Sequence, residues 1–259
     1  MLERLEQIAR RAGEGILARP EFETHEKTGH ANFVTTIDEQ TQRFLEEETH
    51  KLLPEARIIG EEKENSDLTE EYTWVIDPVD GTTNLIHDYR QSAISIALLR
   101  DKRPVLGLIY QPYSREMFTA ELGKGAYLNG KSIRVAQNDA AHALVAFGTS
   151  PYNAELAERG IALAYRYLRT CTDIRRTGSA AIDLTNLACG RTDAYFELRL
   201  SPWDFAAGAL IVSEAGGVFT MPLSPTGLDF SRPQAVLAAT PACFDAVYGI
   251  FEEEAAKWN

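Results

Sequence analysis

Residues 74–84 read WVIDPVDGTTN and place an apolar run, two acids and a Gly-Thr-Thr turn in direct succession. The run WVI predicts a buried strand that ends at Asp77. Pro78 restricts Asp77 to an extended backbone, and we expect it to force a turn that brings Asp80 back towards Asp77. The stretch therefore predicts two carboxylates close together at a strand end.

Such a pair of carboxylates is stable only when a cation lies between them. Mg²⁺ is the expected ion because it is hard and prefers oxygen, and the Val79 carbonyl is a further candidate ligand. Gly81, Thr82 and Thr83 would follow at the start of a short helix, where free backbone N–H groups attract an anion such as phosphate. The alternative is an ordinary capped turn with surface acids.

Other acidic positions are less informative when each is taken alone. Glu61 and Glu62 follow the apolar run RII and Gly60, and adjacent glutamates usually belong to a solvated face. Asp204 precedes an apolar helix and Asp38 opens another, so each could be a simple N-cap.

The composition limits the possible classes of function. The chain has 259 residues, 44% of them hydrophobic, which is enough for a substantial core. Lys and Arg total 26 against 38 for Asp and Glu, giving a formal net charge of −12. Direct nucleic-acid binding is therefore not expected, and an anionic substrate would need a local cation such as a bound metal.

Cysteine usage and hydropathy indicate a cytoplasmic protein. Cys171, Cys189 and Cys243 are odd in number and include no CxxC pair, which argues against a disulfide framework and a structural zinc site. No uncharged run approaches the roughly 18 residues of a membrane span. We expect neither a signal peptide nor a membrane anchor.

Periodicity predicts two N-terminal amphipathic helices, separated by a polar loop over residues 20–32. Short apolar runs from Arg57 onward predict strands, and residues 94–135 leave no room for helices, which favours an antiparallel meander. From Asn153 helices and strands alternate. We expect one unit over residues 1–259, with a possible subdivision into 1–138 and 139–259.

One short motif points to a different chemistry. Residues 125–132 read GAYLNGKS and satisfy the phosphate-loop pattern GxxxxGK[ST]. That loop requires a following helix, whereas Asn129 and Gly130 indicate a hairpin turn before another strand. We therefore expect Lys131 to be a solvated turn residue.

The segments together resemble the inositol monophosphatase family of Mg²⁺-dependent, lithium-sensitive phosphatases. The resemblance rests on GEE at 60–62, WVIDPVDGTTN at 74–84 and PWDFAAGALIVSEAGG at 202–217, supported by VTTID, GKGAYLNG and RRTGSAAIDL. It covers most of the chain. It implies an α+β fold, a layered αβαβα sandwich of the inositol monophosphatase and fructose-1,6-bisphosphatase type, and a homodimer.

By position, the resemblance implies a set of ligands for two or three Mg²⁺ ions: Glu61, Asp77, the Val79 carbonyl, Asp80 and Asp204. Glu62 would lie behind them. Thr82, oriented by Asp38, would act with Glu61 to position and deprotonate a water activated by the metal for in-line attack on phosphorus. The five histidines are scattered, and no covalent phosphoenzyme is expected.

The resemblance also implies substrate contacts. Phosphate oxygens would be held by Gly81, Thr82 and Thr83. The alcohol moiety would be surrounded by Asp80, Ser179, Ala180, Glu197 and Asp204. Arg175 matches a position that reaches the substrate in bacterial relatives, whereas Leu85, Asp88, Arg90 and Asn32 depart from the common family pattern.

The resulting hypothesis is a phosphomonoesterase that hydrolyses myo-inositol 1-phosphate or a similar small polyol phosphate, and Thr83 favours the inositol substrate. One alternative keeps the site and changes the substrate to fructose 1,6-bisphosphate, 3′-phosphoadenosine 5′-phosphate or a nucleotide cofactor phosphate. An alternative of another class is a regulatory protein that binds a protein partner and retains vestigial activity.

Overall fold

The computed structural model describes residues 1–18, 21–27, 33–63, 68 and 71–258; His30 and Asn32 lie outside these ranges. The helices are α1 (Leu2–Ala18), α2 (Thr36–Leu52), α3 (Thr82–Ile86), α4 (Ala154–Thr170), α5 (Ala180–Ala188), α6 (Pro202–Glu214) and α7 (Phe244–Ala255). The strands are β1 (Thr24–Glu26), β2 (Phe33–Thr35), β3 (Arg57–Gly60), β4 (Tyr72–Asp80), β5 (Ala93–Arg100), β6 (Arg103–Gln111), β7 (Glu116–Glu121), β8 (Ala126–Leu128), β9 (Lys131–Ser132), β10 (Leu144–Phe147), β11 (Asp173–Arg175), β12 (Ala194–Leu200), β13 (Val218–Thr220) and β14 (Gln234–Ala239).

Two large sheets form the framework. The seven-stranded sheet has the order β3-β4-β5-β6-β7-β8-β9, with β3 parallel to β4 and all later pairs antiparallel. This confirms the predicted meander. The five-stranded sheet has the order β11-β10-β12-β14-β13, in which β10 runs parallel to both of its neighbours.

Three apolar clusters fill the four interfaces between five layers, because the central cluster lies on both sides of its helices. On the outer face of the seven-stranded sheet, α1 and α2 bury side chains such as Leu5 and Leu45 against Trp74. Helices α5 and α6 lie between the sheets and contribute, among others, Leu184, Phe205 and Ile211. Helices α4 and α7 cover the five-stranded sheet, where the buried residues include Tyr167, Phe196 and Phe251. The predicted αβαβα sandwich is confirmed.

Two local predictions have different outcomes. Asn129 and Gly130 have φ values of 48° and 75° and join β8 to β9, so residues 125–132 form a hairpin and not a phosphate loop. The predicted loop over 20–32 contains β1, which pairs with β2 although every one of its residues is exposed. Backbone hydrogen bonds to β2 hold β1 in place, because the exposed side chains of β1 pack against no core.

The chain passes from one large sheet to the other between Ser132 and Leu144. The subdivision at residue 138 stays a prediction. None of the helices in the described ranges has the length and apolar character needed to cross a membrane.

Candidate active site

A β-bulge in β4 brings the two motif carboxylates to one face. Asp77 pairs with Ser95 and Asp80 pairs with Ala93, so three steps along β4 match two along β5. Because residues two apart on a regular strand share a face, their partners Asp77 and Asp80 also share one. The sequence-based expectation of a turn after Asp77 is wrong: Pro78 lies within the bulge, and β4 continues to Asp80.

Each of these carboxylates has one anchored oxygen. Oδ1 of Asp77 accepts the Val79 amide at 3.0 Å. Oδ2 of Asp80 accepts the Ser179 hydroxyl and the Ala181 amide, both at 2.6 Å. Among the described residues, no donor is hydrogen-bonded to the second oxygen of either group, which leaves that oxygen available as a ligand.

Asp38 and Asp204 occupy equivalent positions in their helices. The alternative in which each is a simple N-cap is wrong by three residues: Thr35 caps α2 and Ser201 caps α6. Asp38 accepts the Thr35 amide at 2.9 Å, and Asp204 accepts the Ser201 amide at 2.7 Å. Each reciprocal contact fixes one carboxylate oxygen and orients the other.

Thr82 begins α3 directly after the bulge. Gly81 has a φ of 91°, and a Cβ there would lie 2.9 Å from the Gln91 carbonyl, so only glycine fits the turn from strand to helix. The Thr82 hydroxyl is 2.8 Å from Oδ1 of Asp38 and 3.2 Å from the Val79 carbonyl. The hydroxyl has one proton, which it donates over the shorter distance to Asp38. The Val79 carbonyl oxygen therefore remains free to accept another partner.

Lys27 neutralises part of the acidic edge. Its ammonium lies 2.9 Å from Oε1 of Glu61 and also contacts Glu62. Although burial lowers the pKa of Lys27, the two glutamates raise it above its ordinary value. Glu62 is largely buried behind Glu61, and burial together with the Glu61 charge raises the pKa of Glu62 to about 7.

The remaining acids repel one another in a buried setting. Burial, then the charges of Glu61, Asp80 and Asp204, raise the pKa of Asp77 well above its ordinary value. Burial, with Glu61 and Glu197, also raises the pKa of Asp80 to about 7, despite its hydrogen bonds to Ser179 and Ala181. The pKa of Asp204 is raised for the same reasons. This electrostatic cost is relieved by a cation.

These groups line one cavity of about 260 Å³. The predicted site residues that line it are Glu61, Asp77, Val79, Asp80, Gly81, Thr82, Thr83, Ser179, Ala180, Glu197 and Asp204. Asp38 contacts the lining residue Thr82 from behind, and Glu62 shares the ammonium of Lys27 with the lining residue Glu61. Glu197 is held by the Ser150 amide at 2.9 Å and the Tyr195 hydroxyl at 2.9 Å.

Arg175 is placed outside this cavity, which corrects the sequence-based expectation. It is the last residue of β11, and its exposed side chain pairs with Asp173. The next residue, Arg176, lines the cavity, as does Arg199. No sequence signal singled out either one, because their positions depend on strand ends that the sequence pattern does not reveal. Asp183 and Tyr152 also line the cavity and were not predicted.

The donor set fits hard divalent cations. Four carboxylates from β4, α6 and the end of β3 face the cavity, together with a backbone carbonyl, and these are the oxygen ligands that Mg²⁺ takes. In the described part of the chain, no group of three or more acidic, histidine or cysteine side chains is placed so that it could hold one metal ion as it stands. Glu61 is paired with Lys27, so metal binding would require that contact to be exchanged.

Comparison with known proteins agrees with this geometry. The model of the inositol monophosphatase family matches residues 1–255. Inositol monophosphatase 2 of Solanum lycopersicum is 39% identical over 246 residues, covering 91% of each chain. A protein of Aquifex aeolicus named fructose-1,6-bisphosphatase/inositol-1-monophosphatase is 34% identical over 234 residues, covering 86% of each.

The fold has the same relatives. The crystal structure of extragenic suppressor protein suhB from Bartonella henselae superimposes with a TM-score of 0.88 at 29% identity, covering 96% of this chain and 97% of that one. The sequence match, the layered fold and the acidic cavity all lead to one assignment. This chain belongs to the inositol monophosphatase family and is a phosphatase.

Proposed function

We propose that this phosphatase is Mg²⁺-dependent and hydrolyses myo-inositol 1-phosphate or a similar small polyol phosphate to the alcohol and inorganic phosphate. The observation that carries the proposal is the convergence of Glu61, Asp77, Asp80 and Asp204 on the cavity that contains Thr82. The hydrogen bonds to Asp77, Asp80 and Asp204 do not offset the burial and mutual repulsion of these carboxylates, whereas a bound cation would.

Glu61, Asp77, Asp80, Asp204 and the Val79 carbonyl would hold two or three Mg²⁺ ions. When bound, paired divalent ions lower the pKa of water and stabilise the charge on both the attacking and the leaving oxygen.

The chain's own residues then set the geometry of attack. The Thr82 hydroxyl donates to Asp38, so its oxygen is left to accept a proton of the attacking water. Glu61, on the same cavity, would take up the proton that the water loses. Within the described ranges, the Asp38 carboxylate is hydrogen-bonded only to Thr82 and Thr35, and it is therefore a positioning residue.

Substrate contacts divide between two walls of the cavity. Gly81, Thr82 and Thr83 would present first-turn amide donors, together with the Thr83 hydroxyl, to the phosphate oxygens, since these amides have no intrahelical acceptor. Ser179, Ala180, Glu197, Asp80 and Asp204 would surround the alcohol. Glu197 has both oxygens fixed by donors, which suits it to orienting a hydroxyl of the substrate.

The same site fits a second substrate class. The Aquifex aeolicus relative carries both fructose-1,6-bisphosphatase and inositol-1-monophosphatase in its name, so the proposal includes sugar bisphosphates as an alternative.

We further propose that the chain acts in the cytoplasm as a homodimer. The free thiols of Cys171, Cys189 and Cys243 are consistent with a reducing compartment.

Phosphate release from a panel of phosphate esters tests the proposal. With Mg²⁺ we expect turnover of inositol 1-phosphate, loss of turnover after EDTA treatment, and inhibition by added Li⁺. Equal phosphate release with and without a divalent cation would contradict the mechanism. Release from nucleotide phosphates alone would contradict the assigned substrate class.

A further inference from the structure

Tyr152 is an exposed aromatic side chain at the wall of the acidic cavity. It lines the cavity together with the four acids proposed as metal ligands, and its relative exposure is 61%. Among the described residues, its hydroxyl has no hydrogen-bond partner. Exposed tyrosines are common on protein surfaces, but at a binding cavity an aromatic ring supplies contact area to a ligand.

The loop that carries Tyr152 is held on both sides of that residue. Before it, the Ser150 amide donates to Oε1 of Glu197 at 2.9 Å. Ser150 is buried and has a φ of 43°, a left-handed conformation that the surrounding contacts must maintain. After it, the Asn153 amide donates to the Ser150 carbonyl at 3.1 Å, and the Asn153 side chain caps α4. The backbone on either side of Tyr152 is therefore fixed relative to the cavity.

Gly148 brings the start of this loop against Glu197. A Cβ at Gly148 would overlap the carboxylate oxygens of Glu197, so a side chain there would displace either the loop or the carboxylate. The Gly148 amide also donates to the Phe196 carbonyl at 3.0 Å. Because Glu197 belongs to the part of the cavity proposed to receive the alcohol, the loop places Tyr152 beside that same part.

The hydroxyl of Tyr152 lies in a negative electrostatic field. Desolvation by the protein around the hydroxyl, and then the charges of Asp204, Glu61, Glu197 and Asp80, raise the pKa of Tyr152. The phenol therefore keeps its proton at neutral pH and can act as a hydrogen-bond donor. Asp204, Glu197 and Asp80 are acids proposed to surround the alcohol, so this donor is directed to the alcohol moiety of a bound substrate.

From this placement we infer that Tyr152 is a specificity-determining residue, whose ring covers the ring of a cyclic polyol phosphate and whose hydroxyl donates to a hydroxyl group of that ring. The inference rests on the proposed function and adds a residue to it. A cyclic polyol has faces of C–H groups that can pack on an aromatic ring, and hydroxyl groups at its rim that accept from a phenol. An open-chain polyol phosphate has no such face, so Tyr152 should distinguish the two.

myo-Inositol 1-phosphate and glycerol 2-phosphate form a matched substrate pair, since both are phosphate esters of a secondary alcohol and only the first contains a ring. We would measure kcat/KM for phosphate release from each, with Mg²⁺. The wild type should prefer the inositol ester. Tyr152→Ala should lower the ratio of inositol to glycerol kcat/KM by roughly 10-fold or more, because the contact with the ring is lost. Tyr152→Phe keeps the aromatic ring and should lower the ratio less.

Tyr165→Ala is the matched control, because Tyr165 is 57% exposed, belongs to α4 and lies outside the cavity. The ratio reports specificity, since a loss of folded enzyme lowers both kcat/KM values equally. An equal ratio in Tyr152→Ala and Tyr165→Ala would overturn the inference, as would a wild type that does not distinguish the two esters.

If neither ester releases phosphate, the proposed function itself fails. Calorimetric titration of myo-inositol 1-phosphate, with Mg²⁺, into wild type and Tyr152→Ala then still tests the contact. Weaker binding to the variant would support the role of Tyr152, and equal binding would overturn it.

Discussion

The hydroxyl of Thr82 lies 2.8 Å from a carboxylate oxygen of Asp38, a residue 44 positions earlier in the chain. The contact joins the first turn of α2 to the first turn of α3. Asp38 also accepts hydrogen bonds from the amide and the hydroxyl of Thr35, so its position is fixed independently of Thr82. Thr82 is thereby held in one rotamer at the cavity wall.

Removal of the Thr82 hydroxyl should lower kcat and leave KM nearly unchanged. Thr82→Val keeps the volume but loses the group that accepts a water proton, and we expect kcat to fall by about 10²-fold or more. Thr82→Ser retains the hydroxyl and should keep most of the activity. Steady-state kinetics on inositol 1-phosphate measure both. A kcat for Thr82→Val equal to that of Thr82→Ser would contradict this role.

Asp80→Asn should abolish turnover without unfolding the protein. Its amide oxygen can still accept the Ser179 and Ala181 donors, while one negative charge leaves the acidic cluster. We expect kcat to fall by about 10³-fold or more. In EDTA the variant should unfold at the same or a higher temperature than wild type, because repulsion is relieved.

The rise in unfolding temperature that Mg²⁺ gives wild type should disappear in Asp80→Asn. Asp245→Asn is the control, since Asp245 is an exposed acid in the first turn of α7, and it should keep that rise. A Mg²⁺-dependent rise of equal size in both variants would exclude Asp80 as a ligand.

The metal-free protein should lose stability between pH 5 and pH 8. The pKa values of Asp80 and Glu62 are raised to about 7 by burial and neighbouring acids, so the folded state holds protons that the unfolded state has released. Stability is then fully present below the unfolded pKa and is lost as pH rises through the folded one. Thermal unfolding in EDTA should show a falling midpoint, which Mg²⁺ should flatten. A midpoint that rises over this range would refute the assignment.

The position of α6 depends on close contact with the seven-stranded sheet. A Cβ at Gly107 of β6 would lie 2.8 Å from the Ala207 carbonyl oxygen, so helix and strand would have to separate. Gly107→Ala should lower the free energy of unfolding by about 1–3 kcal/mol. Gly249→Ala in α7, where nothing lies within 4 Å, should raise it by up to about 1 kcal/mol. Urea unfolding of both variants compares them; equal effects would be inconsistent with the close packing.

The strand at residues 74–77, the meander and the amphipathic helices could be predicted because each depends on local periodicity. The sequence also identifies four acids that line one cavity, because the motifs that contain them are specific: Glu61, Asp77, Asp80 and Asp204. The bulge in β4, between Asp77 and Asp80, and the bulge in β12, between Glu197 and Leu200, could not be predicted. A bulge depends on how one strand pairs with another and not on the residues of that strand alone.

The sequence points to Arg175, whereas Arg176 lines the cavity, and this difference also depends on strand pairing. Both are arginines in the segment RRTGS, and only the pairing of Arg175 with Ala146 at the sheet edge decides which of them faces outward. Sequence alone does not distinguish Asp38 and Asp204 at the third helical position from N-cap residues, because acids at these two positions give similar sequence patterns.

The bulge at Pro78 and Val79 places Asp77 and Asp80 on one face of the sheet although they are three residues apart. Without the bulge, ordinary alternation over the three steps from Asp77 to Asp80 would direct one of the two aspartates into the opposite apolar layer, while the hydrogen-bonded ladder on either side could persist. Many surface connections tolerate changes of length, but here the offset of one residue between β4 and β5 is as strict a requirement as the identity of the acids.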